Sequence, residues 1–186
     1  MGFEIDVAKT TGVVILDRDG TIVVDKHYLS SPAGLEFLPG AEDGLKWFYE
    51  HGYKLVVITN QSGVGRGMFS LQCLDEIHHK FRQMVSSAGA RIEKIYFCPH
   101  SPDAGCACRK PQIGLLLQAA SELRFDPTKA IVIGDKATDV EFGRRAGATT
   151  ILIAPKTHAP ISDLAPDFVA DDLSAAARAV ETLQVD

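Results

Sequence analysis

Short apolar runs alternate along this chain with stretches whose apolar positions recur every three or four residues. Val13-Val14-Ile15-Leu16, Lys54 to Thr59, Ile92 to Phe97, Ala130 to Gly134 and Thr149 to Ile153 are too short for helices and mostly β-branched, and they read as buried strands. Between them, Ala41 to His51 (packing through Leu45, Trp47 and Phe48, closed by Gly52), Ser70 to Ala88, Ile113 to Leu123 and Ala137 to Ala146 (stopped by Gly147) follow the helical period. Ser70 is the expected cap of the longest helix, whose face is Leu71, Leu74, Ile77, Phe81, Val85 and Ala88. Phe168-Val169 and Ser174 to Leu183 supply a short last strand and a closing helix. Strands alternating with helices predict an α/β fold: a doubly wound, Rossmann-like, mainly parallel sheet with helices on both faces, one domain over residues 1–186.

The strands share a second regularity. Where each emerges, the residues turn polar, and in an open parallel sheet the carboxyl edge is where ligands bind. The first strand runs into Asp17-Arg18-Asp19-Gly20-Thr21, the second into Thr59-Asn60-Gln61-Ser62-Gly63-Val64-Gly65-Arg66-Gly67, and the fourth into Gly134-Asp135-Lys136-Ala137-Thr138-Asp139. Ile22 to Pro39, with Asp25, Lys26, His27 and Tyr28, has no period and follows directly on the first acidic pair, so it reads as a flap over the crevice or an ordinary surface excursion. Lys156 to Ala165, with His158, reads as irregular surface.

Length and composition bound the rest. The chain has 186 residues, 46% hydrophobic and 23% charged, which suits a soluble globular protein. No apolar run approaches the roughly 18 residues that cross a bilayer, and Met1 to Thr10 has no signal-peptide core, so the expectation is a cytoplasmic monomer. A net charge of −5 argues against a nucleic-acid or membrane-surface partner, which calls for a basic face.

Asp17 and Asp19 repel each other unless a cation lies near them, which calls for a hard ion such as Mg²⁺. One carboxylate is then free to act as nucleophile and the other as acid and base. Asp135 and Asp139 bring more acid to the same edge, although a carboxylate at Asp139 is also simply a good helix start. The glycine-rich loop after Thr59 can approach and cradle phosphate oxygens. Cys98, His100, Cys106 and Cys108 form the donor set of a closed structural Zn²⁺ site, and a zinc-bound loop there would place Arg109 and Lys110. Cys73 reads as a small buried side chain, and neighbouring His78 and His79 as packing or solvated groups. Phosphoryl transfer to an aspartate accounts for the set: Asp17 attacking phosphorus, Asp19 shuttling the proton, and Lys110, Thr59 and Asn60 binding the equatorial oxygens.

In this arrangement the chain resembles the haloacid dehalogenase superfamily of aspartate-nucleophile phosphatases over essentially its whole length. Asp17 to Thr21 is similar to the first motif, Thr59-Asn60 to the second, Lys110 to the third and Gly134 to Asp139 to the fourth. The zinc loop followed by Arg109-Lys110-Pro111 resembles the branch of heptose-bisphosphate phosphatases and histidinol-phosphatases. The resemblance implies no large cap domain, catalytic Asp17 and Asp19, Mg²⁺ on Asp17, Asp19 and Asp135, and a phosphorylated small-molecule substrate. It further implies substrate contacts from Asp25, Tyr28, Thr59, Asn60, Gln61, Ser62, Arg66, Arg109, Lys110 and Lys136. Val24 to Leu29 and Asn60 to Gly67 look more like the heptose enzymes, with Arg66 an extra cation for a second phosphate and a role in making nucleotide-activated heptose for surface glycans. The short His100 to Cys106 loop and Gly-Asp-Lys-Ala-Thr-Asp are also similar to histidinol-phosphatase. A non-catalytic phospho-sugar sensor on the same fold is the remaining alternative.

Overall fold

The computed structural model describes residues 11–154 and 165–183. Six strands form one wholly parallel sheet in the order β3-β2-β1-β4-β5-β6. They are β1 (Gly12–Leu16), β2 (Tyr53–Asn60), β3 (Ile92–Cys98), β4 (Ile131–Gly134), β5 (Thr149–Ile153) and β6 (Phe168–Ala170). The central strand is β1, in register with β2 from Gly12↔Tyr53 to Leu16↔Val57 and with β4 from Val14↔Ile131 to Leu16↔Ile133. The chain therefore winds outward twice from β1, and the order reverses at its carboxyl end, which opens a crevice there.

Alternation along the strands builds two cores. Val14, Leu16, Leu55 and Val57 face one side with Leu45 and Phe48 of α1 (Ala41–Glu50), Phe81 and Val85 of α3 (Leu71–Ser87), and Leu173 and Ala177 of α6 (Leu173–Leu183). Val13, Ile15, Val56 and Ile58 face the other side with Leu116 and Ala119 of α4 (Gly114–Leu123) and Phe142 of α5 (Ala137–Arg145). Strands buried on both faces read as unbroken apolar runs. Among the described residues no helix is long and apolar enough to cross a membrane.

The helix ends follow the expected chemistry: Ser70 accepts from Cys73 N at 3.1 Å, and Gly52 and Gly147 stop helices at positive φ. Leu71 departs from expectation, standing 56% exposed on the first turn of α3. Cys73 is only half-buried, its thiol donating to Ser30 O at 3.1 Å. A short helix, α2 (Ser62–Gly65), occupies part of the stretch expected to be loop. The stretch around His158 and residues 1–10 lie outside the described residues.

Candidate active site

The turn that follows β1 is held by its own backbone. Arg18 O accepts from Ile22 N and Val23 N, both at 3.0 Å, and Gly20 N donates to Val23 O at 2.7 Å. Gly20 takes φ +91°, and a Cβ there would lie 2.6 Å from Asp135 Cγ. Only a glycine lets the β1 turn and the β4 turn approach this closely. Thr21 Oγ1 crosses the same gap to donate to Asp135 Oδ1 at 3.3 Å.

Lys110 lies at the centre. Its ammonium, 5% exposed, sits 2.8 Å from Asp17 Oδ1 and 2.6 Å from Asp139 Oδ1, and donates to Ile58 O at 2.8 Å. Burial works against its charge, but Asp139 and Asp17 more than offset it, and its pKa is raised. The segment is tied to the β2 edge by Lys110 N donating to Asn60 Oδ1 at 3.1 Å and Asn60 Nδ2 donating to Lys110 O at 3.3 Å. Asp139 has both of the roles its position allowed: it pairs with Lys110, and its Oδ2 accepts from Lys136 N at 3.0 Å in the α5 capping box. Burial raises its pKa.

Carboxylate oxygens of Asp17, Asp135 and Asp139 lie within 4.8 Å of one another. Burial, then the neighbouring charge of Asp17, pushes Asp135 up to about 7. A hard cation would relieve that repulsion, and an all-oxygen donor set fits Mg²⁺. Asp19, expected among these ligands, does not join the group. Its carboxylate turns to Arg18 Nη2 at 2.8 Å and to Gln61 Nε2 at 2.8 Å, and Asp139 takes the third place.

A cavity of about 960 Å³ opens over these groups, lined by Asp17, Asp19, Thr59, Asn60, Ser62, Arg109, Lys110, Lys136 and Asp139. Asp25, His27 and Tyr28 line it from the 22–39 segment, whose base is fixed where Val24 N donates to Glu36 O at 2.9 Å and Leu38 N to Ile22 O at 2.9 Å. Lys136 Nζ reaches Asp25 Oδ2 at 3.0 Å, joining that segment to the β4 turn. Arg109 Nη1 is buried with no protein acceptor. Two expected substrate contacts are absent from the lining. Gln61, 6% exposed, is spent bridging Asp19 and Thr59 Oγ1, and Arg66 is exposed at the end of α2.

The Cys/His loop assembles as its spacing implies. Cys98 Sγ lies 3.5 Å from Cys106 Sγ and 3.0 Å from Cys108 Sγ, with Cys106 and Cys108 3.4 Å apart. His100 Nδ1 stands 3.1 Å from Cys108 Sγ and 3.6 Å from Cys98 Sγ. These edges are close to those of a tetrahedron with metal–sulfur bonds of roughly 2.3 Å, and the four residues can bind zinc. Burial pushes the Cys98 thiol up to about 12, so all three sulfurs can be thiolates together only beside a cation. The loop also walls the cavity through Pro102, Gly105 and Ala107, a role its spacing did not reveal.

Residues 107–176 match the HAD-hydrolase-like family model. Over 185 residues the chain is 32% identical to D-glycero-beta-D-manno-heptose-1,7-bisphosphate 7-phosphatase of Yersinia pestis, covering 94% of this chain and 98% of that one. The enzyme of the same name from Helicobacter pylori is 40% identical over 138 residues, 74% of this chain and 80% of that one. The crystal structure of D,D-heptose 1,7-bisphosphate phosphatase from B. bronchiseptica, complexed with magnesium and phosphate, superposes with a TM-score of 0.83. It is 30% identical, covering 94% of this chain and 99% of that chain.

Proposed function

The chain belongs to the D-glycero-D-manno-heptose-1,7-bisphosphate 7-phosphatase family of HAD-like hydrolases, and from that premise we propose that it removes the 7-phosphate of the β-anomer of this sugar. The observation that carries the reading is the buried Lys110 ammonium between Asp17 and Asp139, at the edge of a cavity that Thr59 and Asn60 also line.

In the proposed reaction Asp17 attacks phosphorus in line, forming an aspartyl phosphate as the P–O bond to the sugar breaks. Asp19 gives a proton to the departing alkoxide, then takes one from the water that opens the acyl phosphate. Lys110, Thr59 and Asn60 bind the equatorial oxygens, where fixed charge and dipoles lower the barrier. Mg²⁺ held by the Asp17 and Asp135 carboxylates would neutralise the charge between nucleophile and phosphate. Arg109, with its unpartnered Nη1, and Lys136 bind the rest of the anion, and Asp25 and Tyr28 accept the sugar hydroxyls. Arg66 and Gln61 carry no substrate contact in this scheme.

Phosphate release from heptose 1,7-bisphosphate in the presence of Mg²⁺ is expected to exceed that from histidinol phosphate by at least about 100-fold in kcat/KM, since sites built to bond hydroxyls reject substrates lacking them. The β-anomer should be preferred and Asp17→Asn should release nothing. Equal rates on the two substrates, or turnover by Asp17→Asn, would defeat the proposal.

A further inference from the structure

Arg18 is the largest fully buried side chain among the described residues, 1% exposed. Enclosing a guanidinium is costly unless a bonded counter-charge accompanies it. Arg18 Nη1 has no acceptor, and all four side-chain hydrogen bonds of Arg18 end on Asp19. The donors are not shared evenly. Asp19 Oδ2 accepts from Arg18 Nη2 at 2.8 Å, Arg18 Nε at 3.2 Å and Gln61 Nε2 at 2.8 Å. Oδ1 accepts only from Arg18, at 3.0 and 3.2 Å. Gln61 is itself fixed, its Nε2 also donating to Thr59 Oγ1 at 2.9 Å.

We infer that Arg18 and Gln61 are positioning residues that lock the plane of the Asp19 carboxylate and occupy Oδ2, leaving Oδ1 as the atom that exchanges the proton. Oδ2 takes the two shortest bonds, both at 2.8 Å and from two different residues, whereas Oδ1 meets Arg18 alone at 3.0 and 3.2 Å, so a proton displaces less hydrogen bonding on Oδ1 than on Oδ2. In the first half-reaction the Oδ1 proton moves to the ester oxygen as the sugar P–O bond breaks and the Asp17–P bond forms. In the second, Oδ1 takes a proton from water as the water oxygen bonds to phosphorus and the Asp17–P bond breaks. Both transfers pass through one atom, so a carboxylate free to rotate would lose alignment in each.

This rests on the phosphatase reading, and the test separates the two. Arg18→Lys and Gln61→Leu are compared with the unmodified protein on heptose 1,7-bisphosphate, an alkyl ester whose alkoxide leaves only when protonated, and on p-nitrophenyl phosphate, whose leaving group needs no acid. For both variants kcat on the alkyl ester is expected to fall about 10- to 100-fold, part of what general acid–base catalysis supplies, with KM within about twofold. Nitrophenolate release in the first turnover should fall less than about threefold and appear as a burst, because acyl-phosphate hydrolysis still needs the base. Equal proportional loss on the two esters, or unchanged alkyl-ester turnover in a Gln61→Leu protein of normal melting temperature, overturns the inference. An unmodified protein inactive on both esters, or an active Asp17→Asn, would instead sink the phosphatase reading.

Discussion

Side chains in this protein are matched to neighbours far away in sequence, and the match sets their charge. His78, on α3 against Phe97, is pushed down from 6.5 to about 3 by burial and then by Arg18 and Arg82. It stays neutral in the folded chain but protonates below pH 6.5 once unfolded, so the unfolded state binds the extra proton and stability drops between pH 6.5 and 3. The slope expected from this one group is about 1.4 kcal/mol per pH unit. Urea unfolding at pH 7 and pH 5 should therefore show a smaller loss on acidification for His78→Gln than for the unmodified protein; identical losses would remove His78 from the account. Residue identity was readable in the sequence, but direction was not. Asp17 and Asp135 announce themselves by following strands and Lys110 by following the Cys/His loop, whereas nothing in the spacing says that Gln61 turns inward to Asp19 or that Asp139 reaches Lys110. Arg18 gave no signal at all, because a cation between two aspartates looks like any charged turn.

Elements were more legible than residues. An apolar run that stops at Gly, Asp or Thr marks both a strand and the place where it meets the crevice, so β1 to β5 lie within a residue or so of where hydrophobicity put them. The failure at α2 has a local cause: two of its four residues are glycine, which resists helix unless tertiary contacts hold it. Here they do, with Gly65 N donating to Pro99 O at 2.8 Å. That bond ties α2 to the Cys/His loop, and the loop in turn carries Lys110 and walls the cavity. Removing zinc by chelation, or Cys108→Ser, is expected to lower kcat about 10-fold or more and to depress the melting temperature while leaving Asp17 able to be phosphorylated. Unchanged kinetics and melting after verified metal loss would contradict it.

At the scale of the whole molecule, the acidic groups clustered at the crevice repel one another within the fold. Burial, and then the charges of Asp17 and Asp139, push Asp135 up to about 7. A ligand that binds only the folded state raises its stability by mass action, about 2.7 kcal/mol at a hundred times its Kd. For a chain of this size that amounts to roughly 5 to 10 °C in Tm. Mg²⁺ with inorganic phosphate should produce such a shift, and Asp17→Asn should largely abolish it; an equal shift in both proteins would place the binding elsewhere.

Because β1 is the sheet's midline, with β2 and β4 as its two immediate flanks, Thr59 arrives from one wing of the molecule and Asp135 from the other. Asp17, Asp19, Thr59 and Lys110 precede α4 in the chain, and Asp135 and Asp139 follow it. A chain severed in the connection after α4 is expected to lose turnover and to regain it when the two pieces dock along β1, which would make this enzyme a reporter of its own reassembly; turnover by the piece before the cut alone would contradict this.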